Sequence, residues 1–406
     1  MPHTTVFEDV RLFDGESVVD HAFVTIRGQK IDAVTDYASS PTNAETVNGR
    51  GCTLMPGLID SHAHAKPGAL EMALSFGVTT EIDLGSDPLW MDDQRAAART
   101  RDDVADVRSS SFGATVPNGH PSHLIGRFFP HPFPTVSTVA DAGPFVEERV
   151  AEGADFIKMI IEDGSALNRP ALPALPLDIA TALVDAAHAH NRQAFAHVTA
   201  IAGARRALDA GIDALVHLFF DQPADDVIVQ RIVDSDVFVV PTLVTLGAFS
   251  GDRTARWLTE DPRSAHLLTE EWKANLCCGW PDNPHGSLHN AQTSALSLHR
   301  AGARVLVGTD AASVAARGTA HGASMHDELR LFVDAGFTPL EALRAATSGP
   351  ADAYGLSDRG RVATGLQADL VLVEGDPTTS IDDTLSIRGV WRRGTKLAAR
   401  RTPISA

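Results

Sequence analysis

The stretch MPGLIDSHAH, residues 55–64, ends a short apolar run in two histidines, His62 and His64. In an extended strand, residues i and i+2 point to the same face, so both imidazoles would face one point. Neutral imidazole is the commonest protein metal ligand. With 17 histidines in the chain, two loop histidines are the alternative interpretation. The position at the end of a strand, together with matching residues downstream, favours a metal site.

Length and charge limit the possible classes of protein. The chain has 406 residues, which favours one large barrel plus a smaller module over several equal domains. The net charge of −18 argues against nucleic acid and anionic membranes as partners. We therefore expect an enzyme that acts on a small-molecule substrate.

Cysteine usage and the N-terminal sequence indicate a compartment. Only three cysteines occur, and the vicinal pair Cys277-Cys278 fits neither a disulfide framework nor a zinc ribbon. The stretch MPHTTVFEDV, residues 1–10, has no basic region followed by an apolar one, and no apolar run approaches the length of about 20 residues that a membrane span needs. These features predict a cytoplasmic protein.

The pattern of apolar residues predicts two units. Residues 1–55 and 360–406 carry short β-branched and apolar runs, which predict one small β-sandwich module built from both termini. Residues 56–359 alternate between short apolar runs and Ala-rich helical stretches. The predicted strands end near eight positions: His62, Leu84, Phe112, Ile161, His197, Leu218, Val240 and Thr309. Eight strand–helix units in about 300 residues predict an α/β fold with a (β/α)8 barrel of the triosephosphate isomerase type.

A doubly wound open sheet is the alternative fold, but the first predicted strand is not followed by a Gly-rich phosphate turn. Two segments interrupt the alternation, 113–135 and 246–289. In a barrel they would extend the loops at the catalytic end, so we predict that they contact substrate and that 246–289 is a lid. Surface packing or a subunit contact is the alternative for both.

Four further residues stand at the predicted ends of apolar strands: Lys158, His197, His217 and Asp310. Taken singly, each has a simple structural explanation, such as a lysine whose head reaches solvent, a hydrogen-bonded core histidine or a helix cap. Burial would, however, leave Lys158 as a neutral amine that reacts with carbon dioxide to form an anionic carbamate. Together with His62 and His64, these groups would meet at one end of a parallel barrel and hold two divalent ions about 3.5–4 Å apart.

The motifs resemble those of the amidohydrolase superfamily, in its binuclear branch with a carboxylated lysine. The resemblance rests on PGLIDSHAH (56–64), IKM (157–159), AHV (196–198), VHL (216–218) and GTDA (308–311). The resemblance extends through 321–356 and 360–377. Within the superfamily, the chain is similar to the metal-dependent hydrolases related to Xaa-Pro dipeptidases, arginine carboxypeptidases and imidazolonepropionases.

The resemblance implies a ligand set and a reaction. His62 and His64 would bind the more buried of two Zn²⁺ ions, and His197 and His217 the more exposed one. N6-carboxylated Lys158 would bridge both ions. Asp310 would complete the buried site and move protons while a metal-bridging hydroxide cleaves a peptide-like, N-acyl or anilide amide bond. An ester, lactone or organophosphate hydrolase with the same centre is the alternative, and such enzymes are often homo-oligomers.

One departure from the peptidase group concerns the residue that polarises the substrate carbonyl. Relatives commonly use a tyrosine, whereas this chain offers His120 or His123 in that region. Arg169 and His321 are further predicted substrate contacts. A mononuclear deaminase is disfavoured, because its proton-shuttling glutamate would stand at position 200, where this chain has Ala200.

Overall fold

Five strands at the start of the chain form a sheet in the computed structural model, which describes residues 3–37, 44–125, 132–281, 283–398 and 403. They are β1 (Thr4–Phe13), β2 (Val18–Arg27), β3 (Lys30–Thr35), β4 (Glu45–Asn48) and β5 (Cys52–Pro56). Strands β1, β2 and β3 are antiparallel neighbours, and β4 and β5 pair parallel to β1. Gly28 lies in the turn between β2 and β3, where its positive φ of 58° is easily adopted by glycine.

Seven parallel strands follow in two groups. They are β6 (Leu58–Ala63), β7 (Val78–Asp83), β8 (Asp106–Ser109), β9 (Ile157–Ile160), β10 (Ala194–His197), β11 (Ala214–Val216) and β12 (Phe238–Val240). One group has the order β6-β7-β8 and the other the order β12-β11-β10-β9. Nearly every residue in these strands is buried, as expected for parallel strands covered on both faces.

Two irregular segments join the groups into a ring. Near β8, Ala114 pairs in parallel with Met159 of β9. On the other side, residues 305–311 run between β12 and β6, with Val305 bridged to Val239 and Ala311 to Ala63. The latter segment occupies the place of the eighth predicted strand, although it forms isolated bridges rather than a regular ladder. The predicted fold, a barrel with a β module from both termini, is confirmed.

Helices pack around the barrel and fill its long loops. They are α1 (Ala69–Ser75), α2 (Pro88–Thr100), α3 (Ala142–Ala151), α4 (Leu177–Ala189), α5 (Ile201–Ala210), α6 (Asp226–Asp234), α7 (Leu243–Ser250), α8 (Trp257–Glu260), α9 (Pro262–Ala265), α10 (Glu270–Leu276), α11 (Leu288–Arg300), α12 (Ala323–Ala335), α13 (Pro339–Arg344) and α14 (Ser348–Ala353). Thr338 and Glu341 form a capping box at the start of α13, with Pro339 in the first helical position. Within the described residues, no helix has both the length and the apolar character needed to cross a membrane.

Three C-terminal strands complete the terminal sheet: β13 (Leu370–Glu374), β14 (Ile387–Arg392) and β15 (Thr395–Lys396). Strand β13 pairs antiparallel with β5, so residues from both chain ends lie in one eight-stranded sheet. Phe7 and Trp391 meet edge to face inside this sheet's core, with ring centroids 4.7 Å apart. This contact joins the first strand to the penultimate one.

An aromatic cluster fills the barrel beneath the strand ends. Phe195 stands two residues before His197 on the same face of β10, and Phe156 stands two residues before Lys158, directly ahead of β9. The two phenylalanine rings lie 5.0 Å apart. Tyr354 lies 5.3 Å from Phe156, and its hydroxyl donates to the carbonyl of Ser61 at 2.8 Å. This apolar floor supports the polar residues at the next level of the barrel.

Candidate metal centre

His62, in the first barrel strand, and His64, directly after it, lie where the C-terminal ends of the barrel strands meet. His62 is fully buried, and neither of its ring nitrogens has a hydrogen-bond partner among the described residues. His64 follows strand β6, and its ring centroid is 5.4 Å from that of His62. A buried imidazole with two unsatisfied nitrogens is costly unless a further ligand occupies them. This arrangement therefore fits metal ligation.

His197 and His217 bring two more imidazoles to the same place. His197 ends β10, and His217 directly follows β11. Their ring centroids lie 4.6 Å apart, and that of His217 is 4.7 Å from His62. Burial lowers the pKa of His197 to about 3 and holds the pKa of His217 well below its usual value. Both rings are therefore neutral at pH 7, which is the form that binds a cation.

Lys158 projects from β9 into the same region. Its side chain is buried, and burial lowers the pKa of its amine to about 7, although Asp310 and Asp83 act in the opposite direction. A Cβ at Gly113 would lie 3.1 Å from Cγ of Lys158, so glycine leaves room for the lysine stem. The lowered pKa increases the neutral fraction of this amine at pH 7, and a neutral amine is the form that reacts with carbon dioxide.

Asp310 places a carboxylate between the histidines. Its Oδ1 lies 3.0 Å from Nε2 of His64 and 3.4 Å from Nε2 of His62, and its Oδ2 lies 4.0 Å from Nε2 of His217. The residue adopts a left-handed φ of 57°, and its amide donates to the carbonyl of His62 at 2.7 Å. Gly308 permits this close approach, because a Cβ there would lie only 2.8 Å from the amide nitrogen of His62.

The six predicted ligands thus meet at one end of the barrel. Donor atoms of His62, His217 and Asp310 lie within 4.8 Å of one another, and the other three predicted ligands border the same cavity as His217 and Asp310. Imidazole nitrogens and carboxylate oxygens are suitable ligands for Zn²⁺ and related divalent ions. The donor set therefore fits a site for divalent cations.

Thr242, two residues after β12, supports the centre through a contact with His217. No feature of the sequence had indicated a role for this threonine. Its Oγ1 lies 2.6 Å from Nδ1 of His217, and its φ of 51° turns the chain toward that ring. A hydrogen bond at Nδ1 fixes the ring orientation and leaves Nε2 to face Asp310.

The Thr242→Val variant is expected to bind metal about 10- to 100-fold more weakly, since loss of such a supporting hydrogen bond typically has that effect. Valine keeps the branched shape but lacks the hydroxyl. Competition with a chelator would measure the dissociation constant. Thr242→Ser, which keeps the hydroxyl, is the control and should bind nearly as tightly as the parent protein. Equal affinity in Thr242→Val would show that this contact does not support His217.

Two buried carboxylates were not predicted either. Oε2 of Glu162 lies 3.4 Å from Nε2 of His197 and also accepts from the hydroxyl of Thr199. Asp83, at the end of β7, accepts from the amide of Ala65 at 2.9 Å. Burial raises the pKa of both carboxyl groups. Both follow apolar strand residues, as Asp310 does, but no sequence feature distinguishes them from carboxylates that cap helices.

The residues predicted to contact substrate lie at different positions relative to the cavity. His120 stacks on His197 with centroids 5.0 Å apart and borders the cavity, as does Arg169. The side chain of His123 lies outside the described residues. His321 is buried away from the cavity, with Nδ1 2.9 Å from Oε1 of Glu81 and Nε2 2.7 Å from the carbonyl of Ala312. The structure therefore brings His120 and Arg169 to the cavity and leaves His321 behind its wall.

A cavity of about 380 Å³ opens above the centre. Both interrupting segments contribute to its wall: Leu124 and Phe133 come from 113–135, and Phe249 and Trp280 come from 246–289. The other two tryptophans of the second segment lie elsewhere, since Trp272 is buried and Nε1 of Trp257 donates to Asp327. The cavity has the size of a small-molecule site. Whether 246–289 moves as a lid stays a prediction.

Comparison with known proteins adds a family and several relatives. The family model described as "Amidohydrolase family" matches residues 53–397. Adenine deaminase 2 of Latilactobacillus sakei is 42% identical over 69 residues, which are 17% of this chain and 11% of that protein. Ochratoxinase of Aspergillus niger is 24% identical over 261 residues, which are 61% of this chain and 47% of that protein. The chain thus matches less than half the length of either relative.

Solved structures are similar over nearly the whole chain. A Xaa-Pro dipeptidase with methionine bound in its active site has a TM-score of 0.76 at 19% identity, covering 98% of this chain and all of that one (100%). Aspergillus niger ochratoxinase has a TM-score of 0.74 at 21% identity, covering 97% of this chain and 95% of the other. At these identities the likeness shows that the fold is shared.

Proposed function

Since this chain belongs to the amidohydrolase family, as its motifs predicted, we propose that it is a metal-dependent hydrolase of amide bonds. The bond would be peptide-like, N-acyl or anilide, and two divalent cations, Zn²⁺ by preference, would serve as cofactors. The barrel of residues 56–359 would carry the reaction, with 1–55 and 360–406 as its β module. The observation that carries the proposal is the meeting of six predicted ligands below one cavity.

The proposed ligand assignment is the one that the family motifs imply. His62 and His64 would hold the more buried cation, and His197 and His217 the more exposed one. The Lys158 carbamate would bridge the two. When bound, such cations polarise a carbonyl and lower the pKa of water to about 7. His62 has ring nitrogens without a hydrogen-bond partner among the described residues and His217 has its Nε2 toward Asp310, so both observations support a role for these histidines as metal ligands.

Two side chains of the cavity would act on the substrate directly. Asp310 would accept a proton from the attacking water and donate it to the leaving amine, because its carboxylate lies at the base of the cavity. His120 would donate a hydrogen bond to the oxygen that becomes negative in the transition state. Its stacking on His197 holds its ring beside the centre and supports this position.

Amide hydrolysis is favoured over deamination by this chain's own residues. The match to adenine deaminases covers only short segments. A buried Lys158 at the centre has no role in a mononuclear deaminase, and position 200 is Ala200. Among the relatives, the names Xaa-Pro dipeptidase and ochratoxinase belong to proteins that share this fold along most of the chain.

The zinc-loaded enzyme is expected to hydrolyse members of a panel of N-acyl amino acids, dipeptides and anilides, because all present an amide carbonyl to the same centre. Amine release would be measured beside metal analysis, with about two cations per chain expected. Protein stripped by a chelator is the control and should regain activity when Zn²⁺ returns. Turnover of lactones or adenine alone, or full activity without metal, would contradict the proposal.

A further inference from the structure

The cavity wall is cationic in a strongly acidic protein. The chain carries a net charge of −18, yet Lys66, Arg169 and Arg317 border the cavity. Among the described residues that line it, Asp310 is the one carboxylate, and it belongs to the predicted ligand set. A wall that concentrates positive charge in this way attracts an anionic group and repels an ammonium group.

Two of the three cations share one tryptophan. The guanidinium carbon of Arg317 lies 4.8 Å from the ring centroid of Trp280, and that of Arg169 lies 5.5 Å from it. One nitrogen of Arg317 donates to the carbonyl of Gly279 at 3.0 Å. Within the described part of the chain, neither guanidinium forms an ion pair with a carboxylate. Both are only half-buried, so each keeps donors available for a ligand.

Lys66 supplies the third positive charge from a different loop. It stands four residues after His62, and its ammonium lies 6.0 Å from the ring centroid of Trp90, which also borders the cavity. Burial lowers the pKa of this amine, as expected for a lysine beside an apolar wall. The first barrel strand and the loop that follows it therefore provide both predicted metal ligands and a charged residue of the cavity.

Most of the remaining wall is apolar, although a few uncharged polar side chains such as Asn168 and Asn283 also line it. Leu84, Leu124, Ile160, Leu167 and Phe249 line the cavity together with the rings of Trp90 and Trp280. Such a surface is complementary to a bulky apolar group, and it offers no partner to a positively charged group of the ligand. An occupant that satisfies both parts of the wall carries one anionic end and one apolar body.

We propose that the substrates are N-acylated amino acids with a bulky apolar acyl group, whose free carboxylate binds at Arg169 and Arg317 beside Trp280. This inference rests on the proposed amide hydrolysis and narrows it. A planar carboxylate matches the paired donors of a guanidinium group. Dipeptides with a free α-ammonium are poor substrates, because that charge would enter a cavity that already holds three cations.

Three probes test the two halves of the proposal. N-benzoyl-L-phenylalanine has the carboxylate and a blocked nitrogen, N-phenethylbenzamide lacks the carboxylate, and L-phenylalanyl-L-phenylalanine has a free ammonium. The expected kcat/KM for the first exceeds that of either other probe by about 10- to 100-fold, the range of a hydrogen bond to a charged group. Arg317→Gln and Arg169→Gln should each reduce the preference for N-benzoyl-L-phenylalanine over N-phenethylbenzamide.

Binding measured by calorimetry separates this inference from the proposed function. N-benzoyl-L-phenylalanine should bind the parent protein more tightly than N-phenethylbenzamide does, and each arginine variant should lose that difference. Arg50→Gln, an exposed arginine of the β module, is the matched control and should change nothing. If no amide is cleaved but binding follows this pattern, the proposed reaction fails and the carboxylate site stands. If both variants keep the full preference in binding, or if the dipeptide is the best substrate, the inference is overturned.

Discussion

The Lys158→Ala variant is expected to lose most of its bound metal and to fall by at least about 1,000-fold in kcat/KM. Removal of one preorganised polar group from such a site already costs about 100- to 1,000-fold in rate, and this variant would also remove the proposed bridge between two cations. The expectation depends on the position of Lys158, buried on β9 and bordering the same cavity as His197 and Asp310.

The chemistry of the bridge gives this prediction a pH dependence. Formation of the carbamate joins Nζ of Lys158 to the carbon of carbon dioxide and releases one proton, so it requires the neutral amine. Since burial lowers the pKa of this amine to about 7, the neutral form dominates above pH 7 and disappears as the pH falls below that value. Metal loading of stripped protein with bicarbonate present should therefore be complete at pH 8 and poor at pH 6.

Two variants distinguish the proposed bridge from simple packing. Lys158→Met keeps a long apolar side chain but lacks the amine, and it should lose metal and activity as Lys158→Ala does. Acetate or propionate should restore part of the activity of Lys158→Ala by supplying a carboxylate in place of the carbamate. Lys30→Ala, on an exposed strand residue, is the control. A fully metallated and active Lys158→Met protein would show that the lysine only packs.

The convergence of the ligands follows from local sequence because strand ends are easily recognised. His62, His197 and His217 each end a short apolar run, and parallel barrel strands bring such ends together. The helices Leu177–Ala189 and Ile201–Ala210 form where the sequence is Ala-rich and amphipathic, since such patterns are strong helix signals. Most of the proposed centre can therefore be predicted from the strand periodicity and the order of strands along the chain.

Contacts between distant segments are less accessible to sequence reasoning. Thr242 lies 25 residues from His217, and no spacing rule links a threonine after one strand to a histidine after its neighbour. Arg317 and Trp280 meet only because two long loops turn toward one cavity. The eighth strand was predicted near Thr309, but the left-handed turn at Asp310 and the close approach at Gly308 make it irregular. Such features depend on tertiary packing.

Asp310→Asn is the second variant for which we expect a large effect, with kcat for amide substrates reduced by about 100- to 10,000-fold, the usual contribution of a positioned proton-transfer group. The substitution is structurally mild. Asparagine is one of the few residues that readily adopts a positive φ, so the backbone at 57° can persist, and its side-chain oxygen can still contact His62 and His64. Metal should therefore be largely retained while the proton acceptor is lost.

The leaving group provides the sharper test of this role. An anilide needs a proton on its departing nitrogen, whereas a p-nitrophenyl ester with the same acyl group releases a stable anion without one. If Asp310 delivers that proton, Asp310→Asn should reduce anilide turnover at least about 10-fold more than ester turnover, as general-acid catalysis requires. Metal analysis of the same samples excludes loss of cations as the cause. Equal losses on both substrates would assign Asp310 to metal binding alone, and full kcat with metal bound would remove it from the reaction altogether.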